Sequence, residues 1–178
     1  SNALLKTLED TNTGLFILIT QRPEKLLSTI RSRCQLVPFT RLQNNQVNEI
    51  IQTLEIVQEL EDIPSKNIRE LIDFSYGSPG QYLVNLQYWL AISSPLRQKL
   101  ELKLTNQIEL LKLAKEISNE LNIEQQLWLI DFQQNRIWEK EKNSIMVKKL
   151  EQLRKQLITY VQPRLAWEVA LLEMNFIY

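Results

Sequence analysis

From Asn44 to Phe176 the apolar residues recur three and four positions apart, and that period confines most of this chain to amphipathic helices packed on one another. Val47, Ile50, Ile51, Leu54 and Val57 form the first stripe, with an Asn cap expected at Asn44 or Asn45. Ile68, Leu71, Ile72 and Ser75 form a second, closed by Gly77 as a C-cap. Ser78-Pro79 then opens a third, Ser as N-cap and Pro at the first helical position, with Tyr82, Leu83, Leu86, Trp89 and Leu90 as its apolar face. After Ile92-Ser93-Ser94-Pro95 no strand signal returns. Leu100, Leu104, Ile108 and Leu111 continue the helical spacing, with a break near Thr105-Asn106 where Thr can cap a new helix. A helix over Ile123 to about Glu141 is expected to bury Leu127, Ile130, Gln134 and Trp138. One over Ile145 to Val161 is expected to bury Met146, Leu150, Leu153, Leu157 and Val161, and Pro163 opens a last one, Arg164 to about Phe176.

The stretch Leu15 to Thr40 has a different grammar. Leu15 to Thr20 is almost wholly apolar, lies between Gly14 and Gln21-Arg22-Pro23, and reads as a short strand buried on both faces. Glu24 to Arg31 reads as a short helix with Leu26, Leu27 and Ile30 on one face, and Gln35 to Phe39 as a second apolar run stopped by Pro38. Strand, turn, short helix and strand make a fragment of an open α/β sheet. A helix at Leu4 to Glu9 and one strand cannot close a sheet alone, so the chain is expected to be the C-terminal part of a longer polypeptide.

Composition removes several kinds of chemistry. The chain has no histidine and a single cysteine, Cys34, which excludes an internal disulfide, His-assisted nucleophiles and the usual transition-metal ligands, so no metal site is expected. Twenty-one basic residues balance 21 acidic ones, which argues against strong nonspecific attraction to nucleic acid. No apolar run is long enough to span a membrane. With only Gly14, Gly77 and Gly80 present, no glycine-rich phosphate loop exists. Chemistry is left to Arg, Lys, carboxylates and hydroxyls.

Thr20, the run Pro23-Glu24-Lys25-Leu26-Leu27 and the triplet Ser32-Arg33-Cys34 together resemble the end of the nucleotide-binding domain in bacterial clamp-loader subunits, members of the AAA+ ATPases. Gln162 to Leu172 resembles the closing helix of their collar domains, so the resemblance covers nearly the whole chain. It implies a mainly α fold: a truncated α/β piece of an AAA+ domain over residues 1–41, a three-helix lid over 42–92 and a helical collar for oligomerisation over 93–178.

By the same resemblance Arg33 is an arginine finger acting in trans on a neighbouring subunit's nucleotide, with Ser32 and Cys34 in its motif, where a permanently charged, forked guanidinium suits a γ-phosphate. Thr20 matches a phosphate sensor, expected to be idle without a phosphate loop. ATP-hydrolysing loader subunits resemble Gly-Ser-x-Arg where this chain reads Gly77-Ser78-Pro79-Gly80; the lid arginine is replaced by Gly80. The implied role is that of a non-hydrolysing member of the DNA polymerase III clamp loader in DNA replication, with no catalytic activity of its own. Its collar would hold the ATPase subunits and the delta subunit, ATP would be bound by the neighbours, and the sliding clamp and primed DNA would be met through the assembled cytoplasmic complex. The alternatives are the gamma/tau ATPase subunit of the same loader and an unrelated helical protein-interaction domain.

Plainer readings stand beside these. Arg33 also reads as a surface arginine at a helix end, Thr20 as a strand terminator and Cys34 as a small buried hydrophobe. Trp89, Trp128, Trp138 and Trp167 read as core or interface filler before a stacking platform for bases. Lys140, Lys142, Lys148, Lys149, Arg154 and Lys155 alternate with Glu139, Glu141 and Glu151, as on a solvated face.

Overall fold

A computed structural model of the chain describes residues 15–53, 63–102, 104–159 and 161–175. The expected helix at Leu4 to Glu9, together with Leu54, Val57 and Phe176, lies outside them. The chain divides into two compact units, Ser1–Thr40 and Arg41–Tyr178.

In the first unit the strand expected at Leu15 to Thr20 does not form. These residues carry no ladder, and Ile17 and Ile19 are 75% and 94% exposed. The apolar run at Gln35 to Phe39 is likewise irregular and exposed. A strand satisfies its backbone only against another strand, and among the described residues there is none to pair with. The helix expected over Glu24 to Arg31 is split into a single 3₁₀ turn, Pro23–Lys25, and a short helix α1, Ser28–Arg31. Leu26 and Leu27 between them are extended, and of the predicted stripe Ile30 alone is buried.

The second unit is helical throughout its described residues: α2 (Asn44–Thr53), α3 (Ser65–Phe74), α4 (Pro79–Ala91), α5 (Ser94–Glu101), α6 (Gln107–Glu120), α7 (Ile123–Glu141), α8 (Ser144–Ile158) and α9 (Pro163–Asn175). Side-chain caps punctuate it. Ser78 Oγ accepts from the Gln81 amide, Asn106 Oδ1 from Ile108, and Asn143 Oδ1 from Ile145 and Met146. Asn122 and Gln125 exchange reciprocal bonds in a capping box. The cap at the α5–α6 break is therefore Asn106 and not Thr105. Asn44 is not a cap either: it is the first residue of α2, and its side chain donates to Asp73 instead.

Helix α3 is capped by Ser75 and not by Gly77, which lies two residues further on in the turn. Gly77 takes φ +77°, and a Cβ there would lie 2.3 Å from the Leu42 carbonyl oxygen, so the chain entering α2 passes too close for any side chain. The Leu42 amide donates to the Gly77 carbonyl at this crossing.

Helices α2, α3 and α4 pack on one another, α6 pairs with α9, and α8 packs on both α7 and α9. One buried cluster runs from Val47 on α2 to Ala170 on α9. Trp89, Trp128 and Trp167 sit in it, with Trp128 stacked on Phe132 at an interplanar angle of 7°. Trp138 does not: it is half exposed, with Lys142 Nζ 5.4 Å from its ring centroid. The face of α7 is thus not the one its simplest stripe suggests. Gln126, Leu129, Ile130 and Phe132 are buried and Leu127 only partly, because α3 and α8 cover the helix from different directions. The helix expected to reach Val161 stops at Ile158, so Val161 lies beyond α8, whose other four stripe members are buried.

Candidate functional site

The residues that carry the sequence-level reading lie around α1. This helix is one turn long and has no side-chain cap, so its last carbonyls must find donors on the residues just beyond it. Two side chains converge on one of them. Arg33 Nη1 donates to the Thr29 carbonyl at 2.9 Å, and Ser32 Oγ to the same oxygen at 3.2 Å. Arg33 is exposed and Cys34 half-buried beside it. The guanidinium is thereby tethered at the negative end of the turn, where a cation is favoured, while its permanent charge and fork geometry stay at the surface. Thr20 Oγ1 accepts from the Arg22 amide at 3.1 Å, a local turn contact of the kind a hydroxyl makes at the end of an extended run. Ser32 and Arg33 are thus gathered on one acceptor, whereas Thr20 is engaged with its own turn.

In the second unit, Gly80 occupies the second position of α4, exposed, with an ordinary helical backbone and nothing within 4 Å of where a Cβ would stand. No backbone or steric demand thus calls for glycine at position 80, whereas both do at Gly77.

One cluster is not visible as a stripe or motif. Arg136 on α7 lies with Nε 3.0 Å from Glu70 on α3 and Nη2 3.2 Å from Glu101 at the end of α5. Lys66 and the buried Asn67 also donate to Glu101, at 2.9 and 2.8 Å, and Lys140 donates to Glu70. Arg136 packs against the Phe132 ring as well. Burial pushes the Glu101 carboxyl upward, but the Lys66 bond, the Arg136 charge and the Asn67 bond outweigh it and hold the group below its usual value. The one sequence signal was a charge on an apolar face: Arg136 stands seven residues, two helical turns, from Leu129 and four from Phe132. The basic run beyond it is dispersed into separate ion pairs, Lys142 with Glu139, Lys149 with Glu173 and Arg154 with Asp131.

The family described as cyanobacterial DNA polymerase III delta prime, C-terminal domain, matches residues 42–174, the whole helical tract and most of the chain. The chain belongs to that family. Residues 1–43 match a second description, DNA polymerase III, delta subunit. The DNA polymerase III subunit delta′ of Bacillus subtilis (strain 168) is 33% identical over 79 residues, 42% of this chain. The chain spans about a quarter of that relative, 24% of its length. No solved structure matches the chain. Family membership assigns the helical unit to the C-terminal region of delta-prime proteins and removes the reading of an unrelated interaction domain. No helix among the described residues is long and apolar enough to cross a membrane.

Proposed function

We propose that this chain is the architectural part of a clamp-loader delta-prime subunit, one that does not hydrolyse ATP and supplies Arg33 in trans to the nucleotide of an adjacent ATPase subunit. The observation that carries the reading is the pairing of a retained charge with a missing one. Arg33 is exposed and braced on the Thr29 carbonyl, while the lid position is Gly80, with free space and no side chain. A guanidinium held by its own main chain loses less conformational freedom on engaging a phosphate than an untethered one. The helices of residues 93–178 act as the collar that binds the ATPase and delta subunits. ATP stays with the neighbours, and the sliding clamp and primed DNA are met by the assembled loader in the cytoplasm. Thr20 plays no part in nucleotide sensing on this reading.

The test is a loader reconstituted with the full-length parent protein, wild type against Arg33→Ala, with assembly measured separately by gel filtration. The complex is expected to assemble normally while DNA-stimulated hydrolysis falls by about 10³ or more at the adjacent site, the size of effect typical of a finger supplied in trans. Equal hydrolysis by the two assembled complexes would return Arg33 to the status of a surface arginine and leave the collar role alone. Gly80→Arg is the complementary variant: a Cβ at this position meets nothing within 4 Å, and on this reading the variant confers no hydrolysis.

A further inference from the structure

Helix α3 ends against local preference. After the cap at Ser75 the chain turns left-handed, and the residue placed there is Tyr76, at φ +50°. Glycine is the usual occupant of this position, because a bulky side chain in it strains the backbone. The nearest glycine, Gly77, stands one residue too late to take its place. Burial does not account for the tyrosine either, since it is 54% exposed.

What the side chain gains is a set of contacts to distant parts of the helical unit. Asn135 Nδ2 on α7 donates to the Tyr76 hydroxyl at 2.9 Å. The Arg41 guanidinium carbon lies 5.9 Å from the ring centroid, within cation–π range, and the Phe74 ring tilts against it at 6.1 Å. Arg41 and Leu42 are the first two residues of that unit, and the backbone of the same turn grips them as well. The Leu42 amide donates to the Gly77 carbonyl at 3.1 Å, and a Cβ on Gly77 would stand 3.1 Å from that of Arg41. Two residues on, the Asn44 side chain donates to Asp73 at the end of α3.

We infer that Tyr76 is a clasp on the entering chain. Its left-handed backbone carries the ring to Arg41 while Asn135 anchors the hydroxyl, so the segment Arg41-Leu42 is fastened to the α3–α4 turn and to α7 together. Bending of the chain between the two units is thereby confined to residues before Arg41. The inference draws only on contacts within the helical unit and is independent of the role proposed for Arg33.

Limited trypsin digestion of the purified chain tests it. Arg41 is exposed, but the bond after it is cut only when the segment opens, at a rate that follows the open population. Mass spectrometry gives the initial rate at which the new terminus at Leu42 appears, divided by that at Lys149 inside α8, which reports opening of the helical unit at large. Asn135→Ala and Tyr76→Phe each remove one side of the anchoring bond and should raise this ratio about threefold, the double variant no further than either alone. Tyr76→Gly relieves the strain but removes the whole clasp, and should raise it about tenfold or more. A general loss of stability would speed both cuts together and leave the ratio unchanged. An unchanged ratio in Asn135→Ala or in Tyr76→Gly, or effects of Asn135→Ala and Tyr76→Phe that multiply in the double variant, would overturn the proposal.

Discussion

The two units of this chain carry apolar residues in comparable density and use them in opposite ways. In residues 15–40, Leu15, Ile17, Ile19 and Phe39 are largely exposed, and Ile30 alone of the large hydrophobics is buried. In residues 41–178, Val47, Tyr82, Leu129 and Phe132 are sealed completely. The difference is one of backbone chemistry. A helix satisfies its own amides and carbonyls, so an amphipathic stripe needs only another stripe to bury itself. An extended run leaves its backbone amides and carbonyls unpaired until a neighbouring strand arrives, so its side chains are placed only when its pairing is. Apolar content therefore measures the need for burial, and the period decides whether a segment can meet that need within its own unit.

The sharpest way to break this comparison is to remove one anchor from each unit. Trp167→Ala deletes a buried indole and the bond its Nε1 donates to Gln126 Oε1 at 2.9 Å, and should cost about 3–5 kcal/mol in urea unfolding. Ile19→Ser, at an exposed and unpaired position, should change the same midpoint by less than about 0.5 kcal/mol. Similar costs at the two sites would mean that Leu15 to Thr20 contributes to the folded core after all.

Next in size is the contrast between the two glycines. Gly77→Ala forces a Cβ against the Leu42 carbonyl in a left-handed conformation and should destabilise by more than about 2 kcal/mol. Gly80→Ala meets nothing and should be neutral or stabilise by up to about 1 kcal/mol through reduced freedom of the unfolded chain. Thermal melts of both variants read the difference directly. A smaller loss, about 1 kcal/mol, is expected for Asn143→Ala, which strips the bonds to two amides at the start of α8.

The subtlest effect lies in acid. With its folded value held below the unfolded one, Glu101 contributes stability that is complete above the ordinary carboxylate value and drains away as pH falls through the folded value. Asp131 runs the other way. Burial and the nearby Glu151 raise it despite Arg154, so its protonation in acid relieves the folded state. Urea midpoints taken from about pH 6 to about pH 3 should therefore fall for wild type and flatten for Glu101→Gln. For Asp131→Asn they should fall more steeply than wild type, and an unchanged acid limb in Glu101→Gln would remove that carboxylate from the ionic cluster.

Much of the helical unit was legible because its signals are local. Ser78-Pro79 at the start of α4 and the α8 stripe Met146, Leu150, Leu153 and Leu157 each depend on residues within a turn or two of one another. What failed depended on distant neighbours. Trp138 sits on a plausible stripe yet is half exposed, since burial along α7 is set by where α3 and α8 lie. Asn85, which accepts from Trp128 Nε1, and Gln126, which bonds both Trp167 and the Leu121 carbonyl, are buried although nothing in the sequence marks them. Of the candidate site, the motif Ser32-Arg33-Cys34 was found from the letters alone. That Ser32 and Arg33 share the Thr29 carbonyl was not.

By itself the sequence determined the helical period, the Ser78-Pro79 start of α4, and the absence of histidine and of a phosphate loop, all properties of composition or of residues adjacent along the chain. The tertiary structure alone decided which stripe of α7 is core, that Arg136 bridges Glu70 and Glu101 across three helices, and that a cleft with largely apolar walls stays open among α5 to α9. These depend on side chains far apart in sequence, whose meeting is fixed by how helices stack and not by the period of any one of them.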